Sequence, residues 1–595
     1  MNYDRQANLP AMFFDVMAEK TDKPLLWAKR DGAWRPTTRG EAAAEAAALA
    51  AALAACGIAP GDRVMLVSEN RPEWPIADLG IMSAGAITVP AYTTNQPGDH
   101  LHILTNSGAK GAIVSTASLA ERLLPAAAQA PELQFILAIE PTHRAQSFVK
   151  PIHDWRETLD KHRPPNGVRP VAVERLKRTD TACIIYTSGT GGVPKGVMLS
   201  HGAVLSNCKG AYYLLLELGL DDDVFLSFLP LSHSYEHTAG MHFPLSIGAQ
   251  IYYAEGADKL GANMVEVRPT IMTAVPRLYE TMHRRIAAGV AAKGGLSEKL
   301  FNRAVELGRK RYRKQPLTMG ERIADAALDV LVRKKVRARF GGRLKVMVSG
   351  GAPLNADIGV FFTALGLRIL QGYGLTESAP VISCNLPSKV RLDTVGPPMV
   401  DIEVKIAEDG EICARGELVM QGYWRDPATT AEAIKDGWLH TGDIGEIDAD
   451  GFIRITDRKK DLIVNSGGDN ISPQRVEGFL TLQPEIAQAM VYGDRQPHLV
   501  ALIVPDEGWA ASWAKTHGKP GELAALISDP AFHEAIGDAV ERVNATLSSL
   551  ERVRKFTMIA EPFTSANEMM TPTLKIRRHK ILAAYRPRLD ALYGG

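Results

Sequence analysis

Short apolar runs alternate with amphipathic or alanine-rich stretches through the first 270 residues, with Gly and Pro at the joints. Residues 41–56 (EAAAEAAALAAALAAC) predict a helix of high intrinsic propensity, ended by Gly57. GDRVMLVSEN then predicts a strand running into a polar loop, and RPEWPIADLGIMSAGAITVPAY alternates between helix-like and strand-like character. The rhythm recurs through residues 100–270, as doubly wound α/β layers require. Beyond about residue 395 the texture changes to short β-like runs (DIEVKIAEDGEICARGELVM) between turns at Asp409-Gly410 and Asp450-Gly451. The basic knot Arg458-Lys459-Lys460 follows, marking a boundary before a mixed α/β tail.

Composition narrows the class. The 595 residues carry 68 Lys plus Arg against 67 Asp plus Glu, with 46% hydrophobic and 23% charged residues, which excludes collagen, coiled coil and wholesale disorder. Near-balanced charge argues against a bulk polyanion binder, so no nucleic-acid partner is expected. Five scattered cysteines without a CxxC pair fit reduced thiols. The longest apolar run, Ala46 to Cys56, falls well short of the ~20 residues of a spanning helix, and no signal peptide is visible. A cytoplasmic protein is expected. One region departs from the balance: residues 309–345 hold thirteen Lys or Arg against Glu321, Asp325 and Asp329. Two readings stay open for it, a solvated helical face or electrostatic attraction to an anionic membrane surface or to cofactor phosphates.

The sharpest local signal is Tyr186-Thr187-Ser188-Gly189-Thr190-Gly191-Gly192-Val193-Pro194-Lys195-Gly196, directly after the apolar run Ala182 to Ile185. A strand feeding such a loop suits polyphosphate: glycines admit backbone N–H groups to the oxygens, hydroxyls donate, and the ammonium offsets charge. It is not a P-loop, which requires GxxxxGK[ST], whereas here Pro194 precedes Lys195 and Gly196 follows it. Its companions are Ser349-Gly350-Gly351-Ala352-Pro353, Gln371-Gly372-Tyr373-Gly374-Leu375-Thr376-Glu377, Gly437-Trp438-Leu439-His440-Thr441-Gly442-Asp443, Asp457-Arg458-Lys459-Lys460-Asp461 and Met570-Thr571-Pro572-Thr573-Leu574-Lys575.

In this order, and over nearly the whole chain, these motifs resemble the adenylate-forming superfamily of acyl-CoA synthetases, adenylation domains and luciferases, and within it the long-chain fatty acyl-CoA synthetases. The resemblance implies an α/β fold class. Residues 1–459 would form a large N-terminal domain of doubly wound α/β layers with a small β-barrel-like subdomain, and residues 460–595 a smaller, mobile α+β C-terminal domain carrying the catalytic lysine. It implies a long-chain fatty acid:CoA ligase using ATP, Mg²⁺ and coenzyme A through an acyl-AMP intermediate. By position, Thr187, Ser188, Gly189, Thr190 and Lys195 would hold the β- and γ-phosphates. Gly351, Ala352 and Pro353 with Gln371, Gly372 and Tyr373 would form the adenine slot. Thr376 would donate to the α-phosphate, Glu377 would ligate Mg²⁺, Asp443 would bind the ribose hydroxyls and Arg458 would support them. His233 would stand at the carboxylate end of the acyl site, Lys575 would be the principal catalytic residue of adenylation, and Lys460 the hinge between half-reactions.

There are departures from the family pattern: Gly191 and Val464 stand where relatives often have Thr and Lys. His233, His237 and His242 fall within ten residues and invite a metal reading, which their spacing supports weakly. Thr273 to Glu280 (TAVPRLYE) resembles a long-chain gate segment, and the long stretch from Pro276 to Gly350 exceeds that of relatives acting on small acids. Two other functions stay open, an acyl-AMP ligase loading a carrier protein and a catalytically silent acyl-binding scaffold. Oligomeric state is undetermined, a homodimer being one option.

Overall fold

The computed structural model describes residues 1–594 except 143–149, 165–168, 188–192, 460–461, 467–468 and 572–574. Two eight-stranded sheets form the larger part. The first runs, strand by strand, Gly422–Tyr423, Lys195–Ser200, Thr181–Thr187, Ile87–Ala91, Arg63–Val67, Gly111–Val114, Phe135–Ala138 and Ile152–Asp154. The second runs Val381–Cys384, Ile369–Gly374, Val346–Ser349, Ile271–Ala274, Val224–Ser227, Gln250–Tyr253, Pro24–Arg30 and Ala33–Thr38. Their central strands are parallel, and several, such as Ile87–Ala91 and Gly111–Val114, are buried at every position. Continuous apolar runs of this kind arise where helices cover both faces.

The alanine-rich segment forms the helix Arg39–Ala55, with Thr38 and Glu41 closing a capping box. Its small side chains let it lie close against the helix Glu73–Ser83: a Cβ added at Gly80 would come within 2.6 Å of Leu49. Substituting Gly80 would therefore force the two helices apart.

Beyond the second sheet, Glu403–Ile406, Glu411–Arg415, Trp438–Ile447, Ile434–Lys435 and Ile453–Arg458 form a separate antiparallel sheet. It packs its own small core of Ile412, Ala414, Leu418 and Ile453 against Tyr373 and Ile382. The last part of the chain builds a three-stranded sheet, Ile486–Tyr492, Leu499–Pro505 and Val553–Met558, with the helices Pro473–Leu480 and Pro530–Asn544 on one side and Arg578–Asp590 on the other. It touches the rest of the protein through Arg277, whose Nη2 donates to the Ala487 carbonyl at 3.0 Å, and an Arg284–Asp506 ion pair at 3.5 Å.

The basic insertion is helical, in Pro276–Lys293, Gly295–Tyr312, Met319–Leu328 and Lys334–Arg339 with a π-helical turn at Asp329–Arg333. The three acids of residues 309–345 are consumed locally. Glu321 pairs with Lys310 and Arg303, Asp325 with Arg333 and Arg311, and Asp329 with Arg337. Arg313, Lys314, Arg322, Lys334, Lys335 and Arg339 stand exposed, alongside the outward apolar residues Met319 (74%), Ile323 (69%) and Val330 (61%). Among the described residues, no helix is long and apolar enough to cross a membrane.

Candidate active site

The Gly-rich loop joins the antiparallel strands Thr181–Thr187 and Lys195–Ser200, so Thr187 and Lys195 face each other across its base. Ser188, Gly189 and Thr190 lie outside the described residues. The Lys195 ammonium donates to Thr429 Oγ1 at 3.3 Å and sits 5.3 Å above the Tyr423 ring. Tyr423 is on the short strand that extends this sheet, and its hydroxyl donates to Glu377 Oε1 at 2.8 Å. One tyrosine therefore links the lysine of the Gly-rich loop to the acidic residue of a distant motif. Burial, then the Glu377 carboxylate, pushes the phenol's pKa well up, so Tyr423 stays a donor.

Gly351 to Pro353 and Gln371 to Tyr373 are neighbours because Val346–Ser349 and Ile369–Gly374 are adjacent parallel strands, with Ser349 opposite Gln371. Gly351 adopts φ +84°, and a Cβ there would meet only Val275 Cγ1, at 3.8 Å; the turn borders open space. This is the crevice at the carboxyl ends of parallel strands where ligands of open α/β sheets bind. Tyr373 is buried, and its hydroxyl donates to Asp443 Oδ2 at 2.7 Å. Arg458, opposite Asp443 on the antiparallel pair, donates from Nε to the other carboxylate oxygen at 2.9 Å.

His233 lies in the loop after the strand Val224–Ser227. Its Nδ1 accepts the backbone N–H of Tyr235 at 3.2 Å, which assigns the proton of the neutral ring to Nε2. Burial, and then the Lys575 ammonium, pushes the imidazole down to about 3. At neutral pH His233 is thus an uncharged Nε2–H donor. The Lys575 ammonium is therefore near enough to this loop to be felt at His233. The backbone of Lys575 is tied to Thr571: Thr571 N–H donates to the Lys575 carbonyl at 2.8 Å, Lys575 N–H donates to Thr571 Oγ1 at 3.0 Å, and Met570 bridges Ile576. Next to His233, Ser234 Oγ lies 3.1 Å from Thr376 Oγ1. Lys195, Tyr423, Glu377, Thr376, Ser234 and His233 thus form one contiguous chain of groups drawn from four segments, with the Lys575 ammonium near enough to be felt at its His233 end.

Lys460 lies outside the described residues. His237 and His242 do not join His233; both rings turn to the buried Asp78, at 3.1 and 3.2 Å. Burial would raise the Asp78 carboxyl, but the two imidazoles hold it well below the usual carboxylate range. Both Nδ1 atoms are buried without a partner, whereas ligating histidines donate that nitrogen to a second group. The cluster therefore suits a buried polar contact better than a metal. Tyr423, Ser234 and Thr429 were not among the expected site residues. Only Ser234, beside His233, carried a local signal.

Residues 13–424 match the AMP-binding enzyme family, and residues 460–595 its C-terminal domain. The chain belongs to the AMP-binding enzyme family. It is 34% identical to the long-chain-fatty-acid–CoA ligase FadD15 of Mycobacterium bovis over 98% of this chain and 97% of that protein. It is 32% identical to the peroxisomal long chain acyl-CoA synthetase 6 of Arabidopsis thaliana over 94% and 82% respectively. Among solved structures, the adenylation domain of a carboxylate reductase from Mycobacterium chelonae superposes with a TM-score of 0.80 at 22% identity, covering 99% of this chain and 92% of that one. A benzoate CoA ligase from Burkholderia xenovorans gives 0.72 at 23% identity over 96% and 99%. These AMP-binding enzymes share the two-part α/β architecture of this chain.

Proposed function

We propose that this AMP-binding enzyme is a long-chain fatty acid:CoA ligase. A fatty carboxylate oxygen attacks the α-phosphorus of ATP and the bond to the β-phosphate bridging oxygen breaks, giving acyl-AMP and pyrophosphate. The coenzyme A sulfur then attacks the acyl carbonyl, the bond to AMP breaks, and the thiol proton passes to solvent. The observations that carry the reading are the Ser234–Thr376 contact and, beside it, a His233 imidazole that feels the Lys575 ammonium. A neutral Nε2–H donor and an ammonium there suit a carboxylate about to meet a phosphate, where charge builds in the transition state.

The remaining roles complete the proposal. Thr187 and Lys195, with Ser188, Gly189 and Thr190 between them, take the β- and γ-phosphates. Gly351, Ala352 and Pro353 with Gln371, Gly372 and Tyr373 flank the adenine, Asp443 takes the ribose hydroxyls, and Arg458 with the Tyr373 hydroxyl holds Asp443 in place. Glu377 and Thr376 offer only oxygen donors, which fits a hard cation, so Glu377 would hold Mg²⁺. Bound there, the ion would offset phosphate charge. The partition into 1–459 and 460–595, with Lys460 as the hinge, accounts for one site serving two steps: rotation would withdraw Lys575 after adenylation.

A cytoplasmic enzyme that touches anionic lipid peripherally fits the helical insertion, since its acids are neutralised internally while its outward cations flank exposed Met319 and Ile323. The deciding experiment is thioester formation with purified coenzyme A across fatty acids of graded length. Thioester yield rising toward long chains supports the proposal. Acyl-AMP accumulating without thioester would instead indicate a carrier-protein ligase, and no pyrophosphate release a silent scaffold.

A further inference from the structure

Glu236 to His242 is wound as a π-helix, a rare form frequent at functional sites, and it starts three residues after His233. Its first residue, Glu236, is wholly buried with both carboxyl oxygens engaged. Ser227 Oγ donates to Oε1 at 2.6 Å, and Thr273 Oγ1 donates to Oε2 at 2.5 Å. These hydroxyls stand near the carboxyl ends of neighbouring parallel strands, Val224–Ser227 and Ile271–Ala274. The carboxyl group thus ties two strand ends to the start of the π-helix.

The connection continues into the His233 loop. Asn70 Nδ2 donates to Ser227 Oγ at 3.2 Å and to the Leu229 carbonyl at 2.6 Å, while Asn70 Oδ1 accepts Leu231 N–H at 3.1 Å. His233 N–H then donates to the Pro230 carbonyl at 2.9 Å. Behind the π-helix, Asp78 grips His237 and His242.

A buried carboxyl without a cation is costly, and among the described residues Glu236 makes no ion pair. The ionisable groups that feel it are Tyr235 on the same segment and Tyr253 on the strand Gln250–Tyr253, both uncharged at neutral pH. Burial pushes its own carboxyl up to about 7 despite the two hydroxyl donors and the Phe228 backbone N–H. An apolar side chain would fill the same volume without this penalty but could not fix three segments at once.

We infer that Glu236 is a positioning residue for acyl activation: its two-hydroxyl clamp sets His233 Nε2 and Ser234 Oγ against Thr376 and Lys575. The inference rests on the reading of His233 as the donor to the fatty carboxylate. Glu236 touches no substrate; it acts through the loop.

The test is fatty-acid-dependent ATP–pyrophosphate exchange by the full-length enzyme with palmitate. Glu236→Ala is expected to lower kcat about 10²-fold, the scale of an ångström-sized misplacement, while the KM for ATP changes by less than about twofold. Glu236→Gln should return most of the rate, because an amide can accept from one hydroxyl and donate to the other. The pair Ser227→Ala/Thr273→Val keeps the carboxyl and its Phe228 backbone donor but removes both hydroxyls, and should reproduce the loss even if Glu236→Ala does not fold. Wild-type kcat in the Ser227/Thr273 pair, or a Gln variant no better than Ala, would overturn the inference. Wild-type enzyme that gives no exchange with palmitate would instead overturn the functional reading beneath it.

Discussion

Tyr373 donates its hydroxyl to Asp443 at 2.7 Å, joining the end of a parallel strand in the large α/β layer to the small antiparallel sheet. With Arg458 on the opposite oxygen, the Asp443 carboxylate is fixed before any nucleotide arrives. Replacing Asp443 by Ala is expected to raise the KM for ATP about tenfold or more while leaving that for fatty acid nearly unchanged, and to cost about 1–3 kcal/mol of stability through the stranded donors. Steady-state kinetics and urea unfolding read the two effects. Equal changes in both KM values would remove the ribose assignment.

Tyr423 orients Glu377, and Tyr423→Phe removes that donor without changing the ring over Lys195. The Mg²⁺ concentration giving half-maximal adenylation is expected to rise about tenfold, the scale seen when an outer partner of a metal ligand is lost. A magnesium titration of pyrophosphate release checks it, and an unchanged midpoint would separate Glu377 from the ion.

The Gly-rich turns could be read in the sequence because each is a strand end followed by its own loop, and local spacing carries that information. Val346–Ser349 runs directly into the turn at Gly351, and Ile369–Gly374 into Thr376. Tyr423 was not legible, since it reaches Lys195 and Glu377 only through the antiparallel pairing of Gly422–Tyr423 with a strand far earlier in the chain. Nor was Asp78, which meets His237 and His242 across a helix–helix contact that no spacing encodes. The charge excess of 309–345 could be counted, but which cations its three acids consume depends on how the helices fold back on one another.

The folded state raises the Glu236 carboxyl to about 7 from its ordinary 4.5, so the native protein binds an extra proton between those values. The neutral form is the stable one: this group's contribution is full below about pH 4.5 and is lost as pH rises through 7. Glu236→Gln cannot ionise. Its stability relative to wild type should therefore increase between pH 5 and pH 8, by up to about 3 kcal/mol. Guanidinium unfolding at the two pH values measures the difference. A relative stability that is flat or falls with pH contradicts the assignment.

The outward cations of the insertion lead to an expectation at lipid surfaces. Vesicles containing phosphatidylserine should bind the protein at low ionic strength and release it as salt shortens the screening length. Charge reversal at Lys334 and Lys335 should weaken binding by roughly 1 kcal/mol or more per site. Sedimentation with vesicles at graded salt decides; binding indifferent to both would leave these residues a solvated face.

If Lys575 acts in adenylation alone, the two half-reactions will part company in Lys575→Ala. Pyrophosphate release from ATP and fatty acid is expected to fall about 10²–10³-fold or more. Thioester formation from supplied acyl-AMP and coenzyme A should continue near the wild-type rate. Undiminished pyrophosphate release, or equal loss of both half-reactions, would contradict it.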